Sequence, residues 1–313
     1  MHRSDVSPTR ADRVLIKHAM LVHEPAWHMC KAQVWRSLGD IAADWAMIIV
    51  ATWVVYRIGW TFIPFGLVAV GNRQRALGNL LHEASHRNLS GHRRVNDGLA
   101  HLLLAPPLLN NLQIYRDSHA QHHAWLGHPL YDPDYLHPVR RDGDHWYHAY
   151  ARYLTAFSML RSTLIGHLFN KRASAHQQLY IFLWWVVLVT TLALIRPHFS
   201  AVFFALWVGS RITFFHAITT FREMTDHYGL EPDGIFKFTR EVLDHGLLSM
   251  LIHPHHNGYH LTHHLFPSVP YHQLPRTHAL LMGIGEYRDR AFVCSAYFGD
   301  SPSGVAGWGA DHA

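Results

Sequence analysis

The sequence predicts an all-α integral membrane protein in which four transmembrane helices, paired as two hairpins, carry a cytosolic helical cap with three histidine clusters. Charged residues make up only 16% of the 313 residues, whereas soluble domains carry about a quarter. Long apolar runs alternate with basic segments, and the 30 histidines include three tight clusters beside predicted membrane boundaries. A low charge content with long apolar runs indicates surface that never meets water.

Four apolar runs form the two predicted hairpins, at residues 41–56, 58–70, 180–195 and 199–221. The first two are slightly shorter than the roughly 20 residues that cross a bilayer, and their turn is predicted near Arg57 and Trp60. The second helix is expected to continue past the membrane to His82 and His86. Arg211 lies within the fourth run, where an ionisable group usually faces the protein interior.

Arginine and lysine concentrate in the N-terminal and middle segments rather than in the hairpin turns. The positive-inside rule therefore predicts a multi-pass protein with both termini and the histidine clusters on the cytoplasmic side. Weaker apolar runs at 99–109 and 153–169 are interpreted as segments lying on the bilayer surface. We expect a single domain over 1–313, with a lead-in at 1–40 and a C-terminal tail at 286–313.

The net charge of +5 is compatible with nucleic acid, anionic lipid or an acidic protein partner. No nucleic-acid motif accompanies it, and the apolar runs favour lipid and protein. Cys30 and Cys294 form no CxxC or CxxH pair, so the sequence indicates neither a disulfide framework nor a cysteine-ligated zinc site.

The histidine clusters are typical of metal ligation. Spacings of i, i+3 and i+4 place imidazoles on one face of a helix, and imidazole without thiolate is compatible with iron. One zinc takes four ligands, so eight imidazoles suit two metal ions better. The three clusters supply His82, His86, His119, His122, His123, His260, His263 and His264.

Two other interpretations compete with a di-metal oxidase. His82-Glu83-Ala-Ser-His86 matches H-E-x-x-H, the signature of zinc metalloproteases, but a protease leaves the other two clusters unexplained. A membrane metal-binding or transport protein is expected to distribute ionisable residues along a path through its spans, whereas these histidines gather outside the apolar runs.

The order and flanks of the clusters resemble the histidine-box superfamily of membrane fatty acid desaturases, hydroxylases and ketolases. Asn257-Gly-Tyr before the third cluster, Leu265-Phe-Pro after it, and Asp132-Pro-Asp134 after the second carry the resemblance. It implies a four-helix membrane fold with a cytosolic cap, two iron ions that alternate between Fe2+ and Fe3+, and the use of O2 with two external electrons. The family commonly has another ligand after its fourth span, and His227 matches that place.

The reaction is inferred from the same resemblance, and no side chain is assigned as an acid or base. The resemblance implies O2-dependent oxidation of unactivated C–H bonds in a lipid-like substrate, with fatty acyl desaturation preferred. The alternative is a hydroxylase or ketolase of an acyl lipid or carotenoid-like molecule.

Four polar residues near the histidines are expected to support the metal ligands without being ligands of the eight-histidine set. These are Glu83, Glu223, Asp226 and Asn257.

Electrons are expected from a separate carrier, such as ferredoxin, rubredoxin or cytochrome b5, because the chain contains no fused haem motif. Five arginines are interpreted as a landing site for an acidic donor or as contacts to anionic lipid head groups. These are Arg87, Arg93, Arg94, Arg140 and Arg141.

Overall fold

The computed structural model of the chain is mostly helical and describes residues 7–243, 246–299 and 302–309. The first six residues of the predicted lead-in, and residues 300–301 and 310–313 of the predicted tail, lie outside the described residues. The helices are α1 (Pro8–His23), α2 (Val34–Ile58), α3 (Ile63–Ser85), α4 (Arg93–Leu99), α5 (Leu112–Ala124), α6 (Trp146–Leu154), α7 (Phe157–Ile165), α8 (Ala175–Ile195), α9 (Pro197–Ser210), α10 (His216–His227), α11 (Gly234–Phe238), α12 (Leu247–Ile252), α13 (His260–Leu265), α14 (Leu274–Leu281) and α15 (Gly285–Arg288).

Shorter elements connect some of these helices. Two five-residue π-helical segments cover Ala100–Leu104 and Arg211–Phe215, and 3₁₀ turns cover Trp60–Phe62, Pro254–His256 and Tyr271–Gln273. Two short strands, β1 (Arg240–Val242) and β2 (Phe292–Cys294), pair in parallel. The chain divides into two units, which we call the hairpin unit (32–116 and 153–220) and the cluster unit (the described parts of 1–31, 117–152 and 221–313).

In the hairpin unit, the helix ends follow local sequence signals. Gly59 ends α2 with a φ of 107°, a conformation that costs glycine little, and Pro64 lies in the first turn of α3, where proline is tolerated. A capping box between Ser174 and Gln177 begins α8. Arg196 separates α8 from α9, which confirms the predicted second turn.

Aromatic stacking and an ion pair join the packed helices α2, α3 and α9 of the hairpin unit. The rings of Trp45 and Trp207 stack with centroids 5.6 Å apart, and both α2 and α3 pack on α9. Arg73 Nη1 donates to Asp44 Oδ1 at 2.9 Å, and that carboxylate is buried. The pair therefore links α2 to α3 through a buried carboxylate and a mostly buried guanidinium.

The ionisable groups of the fourth apolar run face the protein interior, as predicted. Arg211 is buried, and its guanidinium donates to the carbonyls of Leu164 and Leu108 at 2.9 and 2.8 Å. His216 is also buried and contacts Thr163 Oγ1 and the Leu154 carbonyl at 2.6 and 2.8 Å.

Three helical segments of the described chain are long and apolar enough to cross a membrane, at Val34–Ile58, Ala175–Ile195 and Pro197–His227. Helix α3 is not among them, since its apolar first half is followed by the polar stretch Asn72-Arg73-Gln74-Arg75. It does continue to Ser85, with His86 directly after it, which confirms the predicted extension toward the first cluster. The fourth span, the cytosolic cap and the bilayer-surface segments remain predictions.

In the cluster unit, α1 packs on α11, α13 and α15, while α13 packs on β1, α11 and α14. The segment interpreted as a C-terminal tail contributes to this core. Its strand β2 pairs with β1, and Tyr287, Cys294, Tyr297 and Trp308 are buried. The result is a framework that surrounds the third histidine cluster on several sides.

Candidate metal centre

Four histidines of the cluster unit form a closed group of ring nitrogens. His122 comes from α5, His227 ends α10, and His260 and His264 lie one turn apart on α13. Each offers a nitrogen within 4.8 Å of the others. The Nε2–Nε2 distances are 3.0 Å from His227 to His260, 3.0 Å from His260 to His264 and 3.3 Å from His264 to His122. All four side chains are buried.

A second group in the same unit contains His119, His123 and His263. His123 Nε2 lies 3.0 Å from His119 Nε2 and 3.1 Å from His263 Nε2, and the three rings are buried. Adjacent histidines of one helix therefore serve different groups, since His122 and His264 belong to the first, and His123 and His263 to the second.

The remaining two predicted ligands lie in the hairpin unit. His82 is in the last turn of α3 and His86 follows its end, with ring centroids 5.1 Å apart. His82 Nδ1 lies 3.2 Å from Glu83 Oε1, and Asn88 donates to the other oxygen of that carboxylate at 3.1 Å. Glu83 therefore has the geometry expected of a residue that orients His82.

The hydrogen bonds of two rings favour binding of a cation by the first group. His122 Nδ1 lies 2.8 Å from Asp132 Oδ1, and His227 Nδ1 lies 2.6 Å from the Phe238 carbonyl. Both partners only accept hydrogen bonds, so each neutral ring carries its proton on Nδ1 and leaves a lone pair on Nε2. These two Nε2 atoms lie 3.3 and 3.0 Å from the Nε2 atoms of His264 and His260, an arrangement that suits a bound transition metal.

Electrostatics distinguish the rings of this group. For His122, burial lowers the pKa, but the hydrogen bond and negative charge of Asp132 outweigh burial and raise it. The pKa of His264 is well below its usual value because of burial and the neighbouring imidazoles. His264 therefore remains neutral, the state that metal ligation requires.

The predicted supporting residues occupy different environments. Asp226 is 1% exposed; its Oδ2 lies 2.7 Å from Arg222 Nη2 and 3.4 Å from His260 Nε2, so it borders the first group. Glu223 accepts a hydrogen bond from its neighbour Arg222 at 2.9 Å, and the Glu223 side chain is 32% exposed. Asn257 is buried just before α13.

Several residues near the ligands were not predicted to support them. Asp132 was recognised only as part of the flank of the second cluster, although its position ten residues after His122 was a usable signal. Arg13 contacts His123 and His264, which lie 110 and 251 residues away, and Glu241 contacts Thr262 between the ligands of α13. No local pattern reveals such distant contacts.

Long apolar helices together with buried, converging imidazoles are the features of a helical membrane protein that is able to bind metal. The model of the family described as fatty acid desaturase matches residues 58–295, and the chain belongs to this family. It is also 27% identical over 289 residues to the dihydrorhizobitoxine desaturase of Bradyrhizobium elkanii, covering 84% of this chain and 80% of the relative. The protein is therefore an oxidoreductase of the desaturase type.

Proposed function

We propose that the protein is a membrane-bound di-iron enzyme that uses O2 and two external electrons to oxidise unactivated C–H bonds of a lipid-like substrate. The observation that carries this proposal is the convergence of four buried Nε2 atoms in the first histidine group, two of which, on His122 and His227, are left unprotonated by their Nδ1 hydrogen bonds. Family membership supports oxidation as the reaction class.

The ligand assignment follows the two groups. His122, His227, His260 and His264 hold one iron, and His119, His123 and His263 hold the other. His82 and His86 are proposed as further iron ligands. Bound iron supplies activation of O2 and removal of hydrogen from an unactivated carbon.

The remaining side chains bind and orient. Asp132 and the Phe238 carbonyl keep the Nδ1 protons of His122 and His227 in place, which directs Nε2 toward the metal. Glu83 does the same for His82, and Asp226 lies beside His260. Burial of all these rings excludes water from the site. No acid or base from the protein is required, because the metal centre carries the chemistry.

Desaturation is the preferred outcome because the relative is named as a desaturase of dihydrorhizobitoxine. An acyl chain is the preferred substrate because the family is named for fatty acids and because a substrate that resides in the bilayer suits a protein with apolar spans. A hydroxylase or ketolase of an acyl lipid or carotenoid-like substrate is the alternative on the same ligand set.

The setting of the enzyme belongs to the same proposal. The chain 1–313 acts as one functional domain, with both termini and the metal centre on the cytoplasmic side. A separate one-electron carrier, such as ferredoxin, rubredoxin or cytochrome b5, would supply the two electrons. Its landing site includes exposed arginines such as Arg140 and Arg141, because opposite charge accelerates association.

Product mass spectrometry tests this function. The full chain, expressed with a ferredoxin and its reductase, is supplied with a perdeuterated saturated fatty acid, which separates new products from host lipid. We expect a chain lacking two deuterium atoms, whereas a chain with one added oxygen would identify the hydroxylase. His264→Ala should abolish the product and His18→Ala, at an exposed histidine, should not. An iron-loaded protein that leaves the acyl chain unchanged would contradict an acyl substrate.

A further inference from the structure

Helix α13 carries three of the proposed ligands in only six residues. Isolated helices shorter than about 12 residues are marginal in water, and a helix leaves four N–H groups at its start and four carbonyls at its end without partners. The conformation of α13, and with it the directions of His260, His263 and His264, must therefore be fixed by groups outside the helix.

At the start of α13, a buried carboxylate accepts from the helix backbone. Glu241 on β1 is 0% exposed, and its Oε2 accepts from the Thr262 N–H at 2.9 Å, one of the four free N–H groups. Its Oε1 accepts from the Thr262 hydroxyl and lies 3.0 Å from His278 Nδ1. Tyr287 Oη is 2.9 Å from that same nitrogen, so the carboxylate is itself held by a buried network.

At the end of α13, a guanidinium donates to the helix backbone. Arg13 Nε donates to the His264 carbonyl at 2.9 Å, and its Nη2 lies 3.3 Å from the His123 carbonyl and 3.1 Å from His123 Nδ1. The two carbonyls belong to the last turns of α13 and α5, two of the helices that carry proposed ligands. The neighbouring Asp12 accepts from the Ile235 N–H at 2.7 Å, which fixes this part of α1 to α11.

The signs of these charges match the helix dipole, which favours an anion at the start and a cation at the end. The positive charge of Arg13 does not by itself explain why an arginine lies here, because a bound metal would repel a nearby guanidinium. The shape of the side chain does explain its position, since one planar guanidinium reaches the last turns of two ligand helices at once.

We propose that Glu241 and Arg13 are positioning residues that fix α13 from its two ends and thereby determine how firmly, and in what geometry, the histidine groups hold metal. The inference rests on the proposed function, in that both histidine groups are taken to bind iron. Glu241 and Arg13 come from segments distant in sequence and are not proposed as metal ligands. They join the residues, such as Asp132, that orient the ligands.

Metal retention in the purified full chain tests the inference. Glu241→Gln and Arg13→Gln are loaded with Fe2+, and the rate of iron loss to a chelator is compared with wild type. Outer groups of this kind change metal affinity by about 10- to 100-fold, so we expect iron to be lost at least about tenfold faster. The matched controls are Glu231→Gln and Arg10→Gln, at exposed positions, and they should retain iron like wild type.

The visible spectrum of the Co2+-substituted protein separates positioning from general stability, because it reports ligand geometry. Both variants should change this spectrum while the metal-free proteins unfold near the wild-type temperature, and Arg13→Lys should restore the spectrum only in part. Unchanged iron loss and unchanged spectra would overturn the inference. So would metal loss that merely parallels a lower unfolding temperature of the metal-free variants. A wild-type chain that retains no iron would instead overturn the proposed function and, with it, the inference.

Discussion

At the scale of single residues, the properties of the first histidine group depend on where each imidazole keeps its proton. Asp132 is buried and accepts from His122 Nδ1 as well as from the backbone N–H groups of Gly127 and Asp134, both at 2.9 Å. Burial raises the pKa of this carboxyl, but these hydrogen bonds and the charge of His122 outweigh it and leave the pKa below its usual value. Asp132 is therefore a permanent acceptor at neutral pH.

Replacing this acceptor tests its role. Asp132→Asn removes the charge and introduces an amide that can donate to Nδ1, which favours the His122 tautomer that carries its proton on Nε2. We expect iron affinity to fall by roughly 10- to 100-fold, measured by competition with a chelator. The control is Asp142→Asn at an exposed position. Equal iron affinity in the two variants would show that Asp132 does not orient His122.

At the scale of elements, close packing within the hairpin unit limits which side chains its helices tolerate. A Cβ atom on Gly66 of α3 would lie 2.7 Å from Val55 Cγ2 and 2.9 Å from Leu206 Cδ2. Those contacts come from α2 and α9, so Gly66 is the point at which α3 approaches two neighbours at once.

Alanine at two glycines distinguishes packing from backbone propensity. Gly66→Ala should lower the free energy of unfolding by about 1–3 kcal/mol, because overpacking forces the neighbours apart. Gly39→Ala on α2, where nothing lies within 4 Å of the added atom, should be neutral or stabilising. Thermal unfolding in detergent measures both, and equal effects would contradict the packing of α3 against α2 and α9.

The long helices were predictable from sequence because their signals are local. Glycine, proline and a capping box mark where α2, α3 and α8 begin or end, and apolar runs define their lengths. The apolar run at 41–56 did not predict the start of α2. This helix begins at Val34 and includes the more polar stretch from Arg36 to Asp40. The strands β1 and β2 were not predicted, since contacts distant in sequence stabilise them, whereas the histidine spacing did predict the helical turn at which α13 lies.

The same distinction applies to the site. The spacing of imidazoles predicted which histidines approach one another within a cluster, and the structure brings His227 beside His122, His260 and His264. Spacing could not reveal that neighbours such as His122 and His123 serve different groups. It also could not reveal Arg13 or Glu241, because their partners are set by tertiary packing.

At the scale of the whole molecule, sidedness can be tested with a native cysteine. Cys30 lies between α1 and α2 and is partly exposed, whereas Cys294 is buried. If the N-terminus is cytoplasmic, a membrane-impermeant maleimide should label Cys30 only after bacterial cells that express the chain are lysed. Cys30→Ser provides the control for background. Labelling in intact cells would contradict the proposed topology.

The central claim, that two histidine groups hold two irons, is tested most directly by iron content. Elemental analysis of the purified full chain, grown with iron and zinc both present, should give two irons per chain, and His264→Ala should lower that value while His18→Ala should not. One metal per chain, or zinc in place of iron, would contradict a di-iron centre.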